Sequence, residues 1–179
     1  MTEREIAEGC QRGDNAARRA LYERYGGRLL ALCRRYTGNR EEAEDLLHDG
    51  FLFVFSAIAT FGYRGDGSLS AWLCRVFANR AVDYLQQRRR LAFTDTGEVP
   101  DVPDDPPPAD VPAETVVRLI GELPPGYRTV LNLYLIEGHS HREIAALLHI
   151  KESTSASQYL RAKALLKKRI TDYLKTHDA

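Results

Sequence analysis

Apolar residues recur every three or four positions along most of this chain, which is the spacing of the buried stripe of an amphipathic helix. The first half contains three such stretches, with apolar positions at Ala17, Leu21, Tyr25, Leu29, Leu32 and Tyr36, at Ala43, Leu47, Phe51, Val54, Phe55 and Ile58, and at Leu69, Trp72, Leu73, Val76, Phe77 and Tyr84. No stretch has the apolar and polar alternation of a strand. The pattern therefore predicts a bundle of long helices in this half of the chain.

Capping and breaking residues indicate where these helices begin and end. Asn39 is followed three positions later by Glu42, which fits a capping box at the start of the second helix. Glycines at positions 62, 65 and 67 interrupt the helical pattern, and Ser68 then opens the third helix.

The middle of the chain has a different composition. Residues 94–112, TDTGEVPDVPDDPPPADVP, contain six prolines and six acidic residues but no Lys or Arg. Such a segment has little to bury and cannot form a helix, so it is predicted to be a semi-extended linker. It is either a passive spacer or a segment whose charge mimics nucleic acid or meets a basic channel.

The second half is again helical in pattern. A short helix is predicted over residues 114–121, and Pro124 and Pro125 open another that ends at Gly138. Residues 139–166 then have the pattern of two short helices joined by a tight break at residues 149–152. The first of these has Ile144, Ala145 and Leu148 on one face, and the second is capped by Ser153 and Thr154 and buries Tyr159, Ala162 and Leu166.

These patterns predict an all-α fold of two small helical domains joined by an acidic, Pro-rich linker. The predicted boundaries are residues 1–92 for the first domain, 93–113 for the linker and 114–179 for the second domain. The flexible tether leaves the relative placement of the two domains open, and we expect the free protein to be a monomer that binds DNA weakly.

The net charge of zero hides an uneven distribution of charge. Residues 1–92 hold 15 Lys and Arg against 12 Asp and Glu, residues 93–122 hold 1 against 8, and residues 123–179 hold 9 against 5. Because two mildly basic blocks flank an acidic strip, the overall charge does not exclude a nucleic-acid partner.

The last helix pair has the composition of a DNA-binding helix-turn-helix. Gln158 and Arg161 can pair with base edges, whereas Lys163 can neutralise a phosphate. An ordinary amphipathic helix with a solvated basic face is the alternative, since the motif is short.

Two features of the first half also suggest binding surfaces. Glu44, Asp45, His48 and Asp49 lie off the apolar stripe of the second helix, where they suit docking on a basic partner helix. Residues 61–90 place Tyr63 and Arg64 in a glycine-rich loop before a helix with Trp72, Arg75, Asn79 and Arg80 and a basic end. Aromatic and basic groups beside such a loop suit unstacked bases, although Trp72 is favoured as a core residue.

Taken in order, these segments resemble the extracytoplasmic-function (ECF) group of bacterial sigma factors. LYERYGGRLLALCRRYTGNREEAEDLLHDGFLFVF is similar to the segment that holds core RNA polymerase, and SAWLCRVFANRAVDYLQQRRR to the segment that reads and opens the −10 element. LPPGYRTVLNLYLIEGHSHREIAALLHIKESTSASQYLRAKALL is similar to the domain that reads the −35 element.

The resemblance implies specific roles. Glu44, Asp45, His48 and Asp49 would bind the clamp helices of the largest polymerase subunit, and the second domain would meet the flap. The −10 set would be Tyr63, Arg64, Asp66, Ser68, Asn79 and Arg80, with the loop receiving a flipped base. The −35 set would be Arg142, Ser153, Thr154, Ser157, Gln158, Arg161 and Lys163.

Three positions depart from the pattern of the resembled family. His149 stands where many members have Gly at the turn, Ser155 replaces a β-branched apolar residue of the core, and Ala156 replaces a basic residue that often contacts DNA. The last two affect the expected −35 contacts but not the expected fold.

Other function classes fit less well. Cys10, Cys33 and Cys74 are too widely spaced for a metal knuckle, and His139 and His141 have no partner ligand at standard spacing, so no enzyme, metal or cofactor is predicted. A stand-alone helix-turn-helix regulator is the open alternative, but it would need neither the acidic positions nor the 61–90 segment. The charged N-terminus and the lack of a spanning apolar stretch predict a cytoplasmic protein without membrane insertion, and the resemblance adds an anti-sigma factor as an expected partner.

Overall fold

A computed structural model of the chain describes residues 1–93, 97–103 and 111–177. Residues 94–96 and 104–110 of the predicted linker lie outside the described residues. The described residues form helices and connecting loops without any strand, which confirms the prediction of an all-α fold.

The first half folds into four helices. They are α1 (Glu3–Gln11), α2 (Asn15–Thr37), α3 (Arg40–Ala57), which continues into a short 3₁₀ turn (Ile58–Thr60), and α4 (Ser68–Gln87). The predicted apolar stripes of α2, α3 and α4 pack together as one core, with Tyr36 and Phe77 among its largest fully buried side chains. The second half adds α5 (Ala113–Gly121), α6 (Pro125–Leu131) with a π-helical extension (Asn132–Ile136), α7 (His141–Leu148) and α8 (Glu152–His177).

The predicted capping box at the start of α3 is only half formed. The Asn39 side chain accepts a hydrogen bond from the backbone N–H of Glu42, as expected. The Glu42 carboxylate instead accepts two hydrogen bonds from Arg90, at 2.6 and 2.7 Å, and this pairing lowers the pKa of Glu42. Glu42 therefore ties the end of α4 to the start of α3.

The turn between α7 and α8 has the tight geometry that its sequence predicts. His149 ends α7 in the left-handed conformation, with φ at 57°, and its N–H donates to the carbonyl of Ala145. Glycine adopts this conformation without steric cost, so His149 strains the turn. The prediction of a Ser153/Thr154 cap is wrong, because α8 begins at Glu152 and both residues lie within its first turn.

The two halves pack closely against each other, contrary to the expectation that the tether leaves their placement open. Val130, Leu133, Ile144 and Leu148 of the second half join the core cluster of the first. A second cluster, built on Leu119, Ile120, Leu123, Leu131, Ala162, Leu166 and Ile170, belongs to the second half alone. The predicted boundaries at residues 92 and 113 stay a prediction.

Candidate nucleic-acid and protein interfaces

The outer face of α3 carries an exposed acidic ridge. Asp45, His48 and Asp49 are exposed, whereas Glu44 is half-buried and forms an ion pair with Arg40 at 2.9 Å. Within residues 1–93, 97–103 and 111–177, the hydrogen bonds and ion pairs that join the two halves do not involve Asp45, His48 or Asp49.

Two apolar residues, which the sequence pattern did not single out, extend this ridge. Leu52 is 70 % exposed and Phe53 is 43 % exposed, one turn beyond Asp49. The guanidinium of Arg80 lies over the Phe53 ring, 4.8 Å from its centroid. We call residues Asp45, His48, Asp49, Leu52 and Phe53 the α3 ridge. Charged and apolar groups together on one helix face suit a protein partner better than a solvated surface.

The glycine-rich loop before α4 borders a small cleft. This cleft, of about 410 Å³, is lined by Thr60, Phe61, Gly62, Arg64, Ser68, Ala71, Trp72 and Arg75. Trp72 is half-buried rather than a full core residue, and its ring centroid lies 5.1 Å from that of Phe61. An aromatic wall with two arginines nearby can stack an unpaired base and neutralise its phosphate.

Hydrogen bonds within the loop hold its shape. The Tyr63 hydroxyl donates to Asp66 at 2.6 Å, which raises the pKa of Tyr63 to about 12, and the Ser68 hydroxyl donates to the Gly65 carbonyl at 2.6 Å. Of the predicted −10 residues, Tyr63, Arg64, Asp66 and Ser68 are therefore brought together.

A residue from the opposite end of the first half also stabilises this loop. The buried carboxylate of Glu3 accepts hydrogen bonds from the backbone N–H groups of Gly67, at 2.9 Å, and Leu69, at 2.6 Å. Gly67 has no side chain to cap α4, so Glu3 supplies the anion that the N-terminus of this helix favours. This role of Glu3 could not be predicted, because no local sequence signal links residue 3 to residue 67.

Asn79 and Arg80 lie further along α4, away from the loop cleft. Asn79 is exposed and lines a second, larger cleft between the two halves, whereas Arg80 is half-buried against Phe53. The structure therefore separates the predicted −10 residues into a loop group and an α4 group.

The core of the helix-turn-helix explains why a serine can occupy position 155. Ser155 is fully buried, and its hydroxyl lies 2.9 Å from Nδ1 of His141. The His141 ring stacks on Tyr134, with centroids 4.2 Å apart and planes at 7°, and burial lowers the pKa of His141. The hydrogen bond between Ser155 and His141 takes the place of an apolar contact, so the buried hydroxyl of Ser155 keeps a partner.

The predicted −35 residues differ in their exposure. Arg142 and Ser153 are exposed, and Ser157, Arg161 and Lys163 are half-buried. Arg161 donates a hydrogen bond of 3.0 Å to the carbonyl of Gly97, so a described part of the linker lies against this face of α8.

Thr154 and Gln158 do not face solvent in this structure, and their contact with DNA stays a prediction. Their exposed fractions are 4 % and 0 %. Both belong to a stripe with a spacing of four residues that continues through the buried residues Ala162, Leu166 and Ile170. Each step of four residues advances by about 40° around the helix, so Thr154 and Ile170 lie on different sides of α8, and it is Ala162, Leu166 and Ile170 that pack in the core of the second half.

A buried arginine joins the two halves. Arg128 of α6 is 7 % exposed and its guanidinium donates to the carbonyls of Tyr36 and Thr37 at the end of α2. It also donates to the carbonyls of Gly121 and Leu123 in its own half, at 3.1 and 3.0 Å. The last carbonyls of α2, which lack partners within the helix, are thus capped by a cation from the other half of the chain. Burial lowers the pKa of Arg128.

Arg35 forms a second polar connection beside the first. Its Nε donates to the Asn132 side chain at 3.2 Å, and Asn132 donates back to the Arg35 carbonyl at 2.9 Å. A second guanidinium nitrogen lies 3.1 Å from Glu137, and both side chains of this ion pair are largely buried. Asn132 is the first residue of the π-helical turn and Glu137 directly follows its last, and such an irregularity often marks a functional element.

No group of three or more His, Cys, Asp or Glu side chains within residues 1–93, 97–103 and 111–177 is arranged to hold a metal ion. None of the helices in these ranges is both long and apolar enough to cross a membrane.

Comparison with protein families identifies both halves. Residues 21–91 match the family described as Sigma-70 region 2, and residues 113–166 match Sigma-70, region 4. The α3 ridge and the loop cleft lie within the first match, and the helix-turn-helix lies within the second.

Similarity to individual proteins extends over nearly the whole chain. The chain is 28 % identical to the RNA polymerase sigma-H factor of Pseudomonas aeruginosa, over 97 % of this chain and 96 % of the relative. It is 30 % identical to the ECF RNA polymerase sigma factor SigE of Mycolicibacterium smegmatis, over 93 % of this chain and 66 % of the relative. It is 27 % identical to the ECF RNA polymerase sigma-E factor of Escherichia coli, over 95 % of both chains.

A solved structure has a related fold. It is that of CnrH in complex with the cytosolic domain of CnrY, with a TM-score of 0.50 and 23 % identity, covering 95 % of this chain and 97 % of that one.

Proposed function

Because the chain belongs to the extracytoplasmic-function group of the sigma-70 family, we propose that separate groups of its exposed residues carry the separate binding functions of a sigma factor. Membership in this family makes the chain a factor that associates with bacterial RNA polymerase and directs transcription initiation at promoters. The proposal concerns which residues bind polymerase, the −10 element and the −35 element.

The α3 ridge binds the polymerase clamp helices. Its two aspartates are exposed and complementary to a basic partner, and Leu52 and Phe53 add apolar area that such a docking would bury. Glu44 contributes less than the other acidic residues, because Arg40 already neutralises it.

The loop cleft receives an unpaired base of the −10 element. Phe61 and Trp72 offer stacking surfaces, Arg64 and Arg75 offer cations, and Tyr63, Asp66 and Ser68 shape the loop. This cleft is the main observation that supports the proposal, because a stand-alone regulator that binds duplex DNA does not need a site for an unpaired base. Asn79, which lines the cleft between the halves, and Arg80, which lies against Phe53, contact the neighbouring strand.

The helix-turn-helix reads the −35 element with a smaller set of residues than the sequence suggests. Ser157 and Arg161 remain the candidates for base edges, and Arg142, Ser153 and Lys163 the candidates for phosphates. Thr154 and Gln158 leave this set, since both are buried.

The protein acts as one copy, in the cytoplasm, and catalyses no reaction of its own. A protein partner of the anti-sigma kind keeps it inactive, and the complex of CnrH with the cytosolic domain of CnrY is consistent with such a partner. Affinity purification of the protein from its own cells should recover this partner, and deletion of the partner should raise transcription from the promoters defined below.

Run-off transcription tests the function directly. Purified core polymerase, this protein and fragmented genomic DNA are combined, and the 5′ ends of the transcripts are sequenced. We expect discrete starts, each preceded by a shared two-part motif, and none with core polymerase alone. Retained duplex binding without any protein-dependent start would instead support a stand-alone regulator.

A further inference from the structure

Helix α1 holds the glycine-rich loop at both of its ends. At the start of the loop, the side-chain amide of Gln11 donates hydrogen bonds to the carbonyls of Ile58, at 3.1 Å, and Phe61, at 2.7 Å. At the end of the loop, the Glu3 carboxylate accepts hydrogen bonds from two backbone N–H groups, at 2.9 and 2.6 Å. Glu3 and Gln11 are the first and last residues of α1, about 12 Å apart along its axis, so a single helix bridges the two ends of the loop.

The helix is itself fixed to the first half. Three of its side chains are buried in the core of this half, namely those of Ile6, Ala7 and Cys10. Thr2 and Glu5 form a capping box at its N-terminus, which fixes the backbone on either side of Glu3. α1 is therefore a rigid support for the loop, and it lies outside residues 21–91, which match Sigma-70 region 2.

Both points of attachment border the loop cleft. Phe61, whose carbonyl binds Gln11, forms an aromatic wall with Trp72, and the two ring centroids lie 5.1 Å apart. Ser68 also lines the cleft, and it lies between the two residues whose N–H groups bind Glu3. Loss of either contact would allow a wall of the cleft to move.

The backbone of the loop needs such attachment. Hydrogen bonds inside the loop fix its shape but not its position on the first half. Gly62, Gly65 and Gly67 give its backbone more conformational freedom than other residues would. Glu3 and Gln11 attach this backbone to the helical core at two points. A site that distinguishes similar ligands needs its groups held to within about 0.5 Å, which is what two such points can provide.

We propose that Glu3 and Gln11 are positioning residues for base recognition in the loop cleft. They touch no base themselves, but they hold the walls of the cleft at the separation that accepts one base and excludes the others. The inference rests on the proposed function, because it requires that the cleft receives an unpaired −10 base. Without these contacts Phe61 and Trp72 still stack a base, since stacking accepts every base, but the selectivity between bases is lost.

Two variants of similar size remove the contacts one at a time. Gln11→Met keeps the length of the side chain but removes both N–H donors, and Glu3→Gln replaces one acceptor oxygen with an amide nitrogen. Glu23→Gln is the control for the change of charge, because Glu23 forms an exposed ion pair with Arg19. Arg12→Met is the control for the added methionine, because Arg12 is exposed next to Gln11. Circular dichroism checks that each variant is folded.

Fluorescence tests the first step without DNA or polymerase. Trp72 is the single tryptophan of the chain, so its emission reports on the wall of the cleft. We expect acrylamide to quench Gln11→Met more strongly than the wild type or Arg12→Met, because Phe61 no longer keeps its place against Trp72. Equal quenching in all three proteins would show that Gln11 does not hold this wall, and it would overturn the proposal whether or not the protein initiates transcription.

Binding of single-stranded DNA by the holoenzyme then tests selectivity. Core polymerase with each variant is titrated with oligonucleotides that carry the −10 element from run-off transcription, with each position changed in turn to the other three bases. We expect the wild type and both controls to prefer one base at the position that the cleft receives. Glu3→Gln and Gln11→Met should reduce this preference by about ten-fold at that same position and leave the preferences at the other positions unchanged.

Ratios of affinity separate this role from a loss of stability. A variant that is only less stable binds every oligonucleotide more weakly by the same factor, so its ratios stay those of the wild type. Unchanged ratios in either variant, or a loss of preference at different positions, would overturn the proposal and leave the proposed function supported by the preference of the wild type. A wild type without a preference at any position would overturn both.

Discussion

At the scale of single residues, Glu3 stabilises a loop that lies 64 positions away in the sequence. Its buried carboxylate replaces the side-chain cap that Gly67 cannot provide. Removing it leaves the N-terminal N–H groups of α4 unpaired in a largely buried place, where water cannot fully replace the lost bonds.

The variant Glu3→Ala should lower the free energy of unfolding by about 1.5–3 kcal/mol, the range for hydrogen bonds to a charged group. The control Glu8→Ala removes a carboxylate of the same helix that forms an exposed ion pair with Arg4, and the resulting loss of stability should be much smaller. Urea denaturation of both variants measures the difference. Equal losses would mean that the cap does not stabilise the loop.

His149 destabilises the fold, because its backbone has a strained left-handed conformation. The variant His149→Gly should raise the free energy of unfolding by about 0.5–1 kcal/mol, because relief of strain exceeds the entropy that glycine adds to the unfolded chain. His139→Gly is the control, because His139 has no positive φ and should only lose stability. Thermal unfolding of the two variants should therefore shift in opposite directions.

Sequence reasoning succeeds and fails at this scale for physical reasons. The strained position of His149 could be predicted, because a tight turn between two helices demands one backbone geometry. The burial of Gln158 could not be read from its polarity, although its spacing of four from Ala162 was visible. The partnership of Ser155 with His141 requires the packed helix pair to be known.

At the scale of elements, α3 combines a buried stripe with the exposed α3 ridge. The variant Asp45→Arg/Asp49→Arg should abolish association with core polymerase, because it reverses the charge of the ridge without touching the stripe. The control Glu23→Arg/Asp172→Arg makes the same change of net charge at exposed positions elsewhere. Pull-down with core polymerase measures both, and unchanged binding of the ridge variant would exclude this docking surface.

The α8 helix supplies the next test. With polymerase-bound protein, Arg161→Ala should weaken binding of the −35 duplex by about 1–3 kcal/mol if Arg161 reads a base. Scrambled duplex is the control substrate, since only a base contact discriminates between the two sequences. An equal loss on both duplexes would assign Arg161 to a phosphate.

Helices are the level at which the sequence is most informative. The stripes of α2, α3 and α4 follow the 3.6-residue period, and burial of such stripes is what makes these segments helical. The start of α8 was misplaced, because Ser153 and Thr154 have the composition of a cap but lie inside the first turn. The acidic positions of the α3 ridge were also predictable, since residues off the stripe must face outward.

At the scale of the whole molecule, the contact between the halves could not be predicted from the sequence. Its bonds join residues 91 to 102 positions apart, and three of them end on backbone carbonyls, which every residue possesses. The Pro-rich linker indicates two domains but carries no signal for how they meet. Only the three-dimensional arrangement shows that the end of α2 fits against the end of α5 and against Arg128 of α6.

Gly38 offers a steric test of that fit. It has a positive φ, and an added Cβ would overlap the carbonyl oxygen of Gly121 in the other half. Gly13 also has a positive φ, but an added Cβ there would meet only the end of the Arg18 side chain, at 3.8 Å. Gly13→Ala therefore carries the local backbone strain without the clash between halves, which makes it a matched control for Gly38→Ala.

Both variants should lose roughly 1 kcal/mol of stability from the strained backbone. Only Gly38→Ala should also increase the radius of gyration in small-angle scattering, because the second half has to move away to make room for the methyl group. Amide hydrogen exchange should then rise at the N–H groups of α6 and the π-helical turn, which contact with the first half shields. If Gly38→Ala stays as compact as Gly13→Ala, the backbones tolerate the methyl group and the close fit is not what holds the halves together. The polar bonds of Arg35 and Arg128 and the shared apolar core would then hold them.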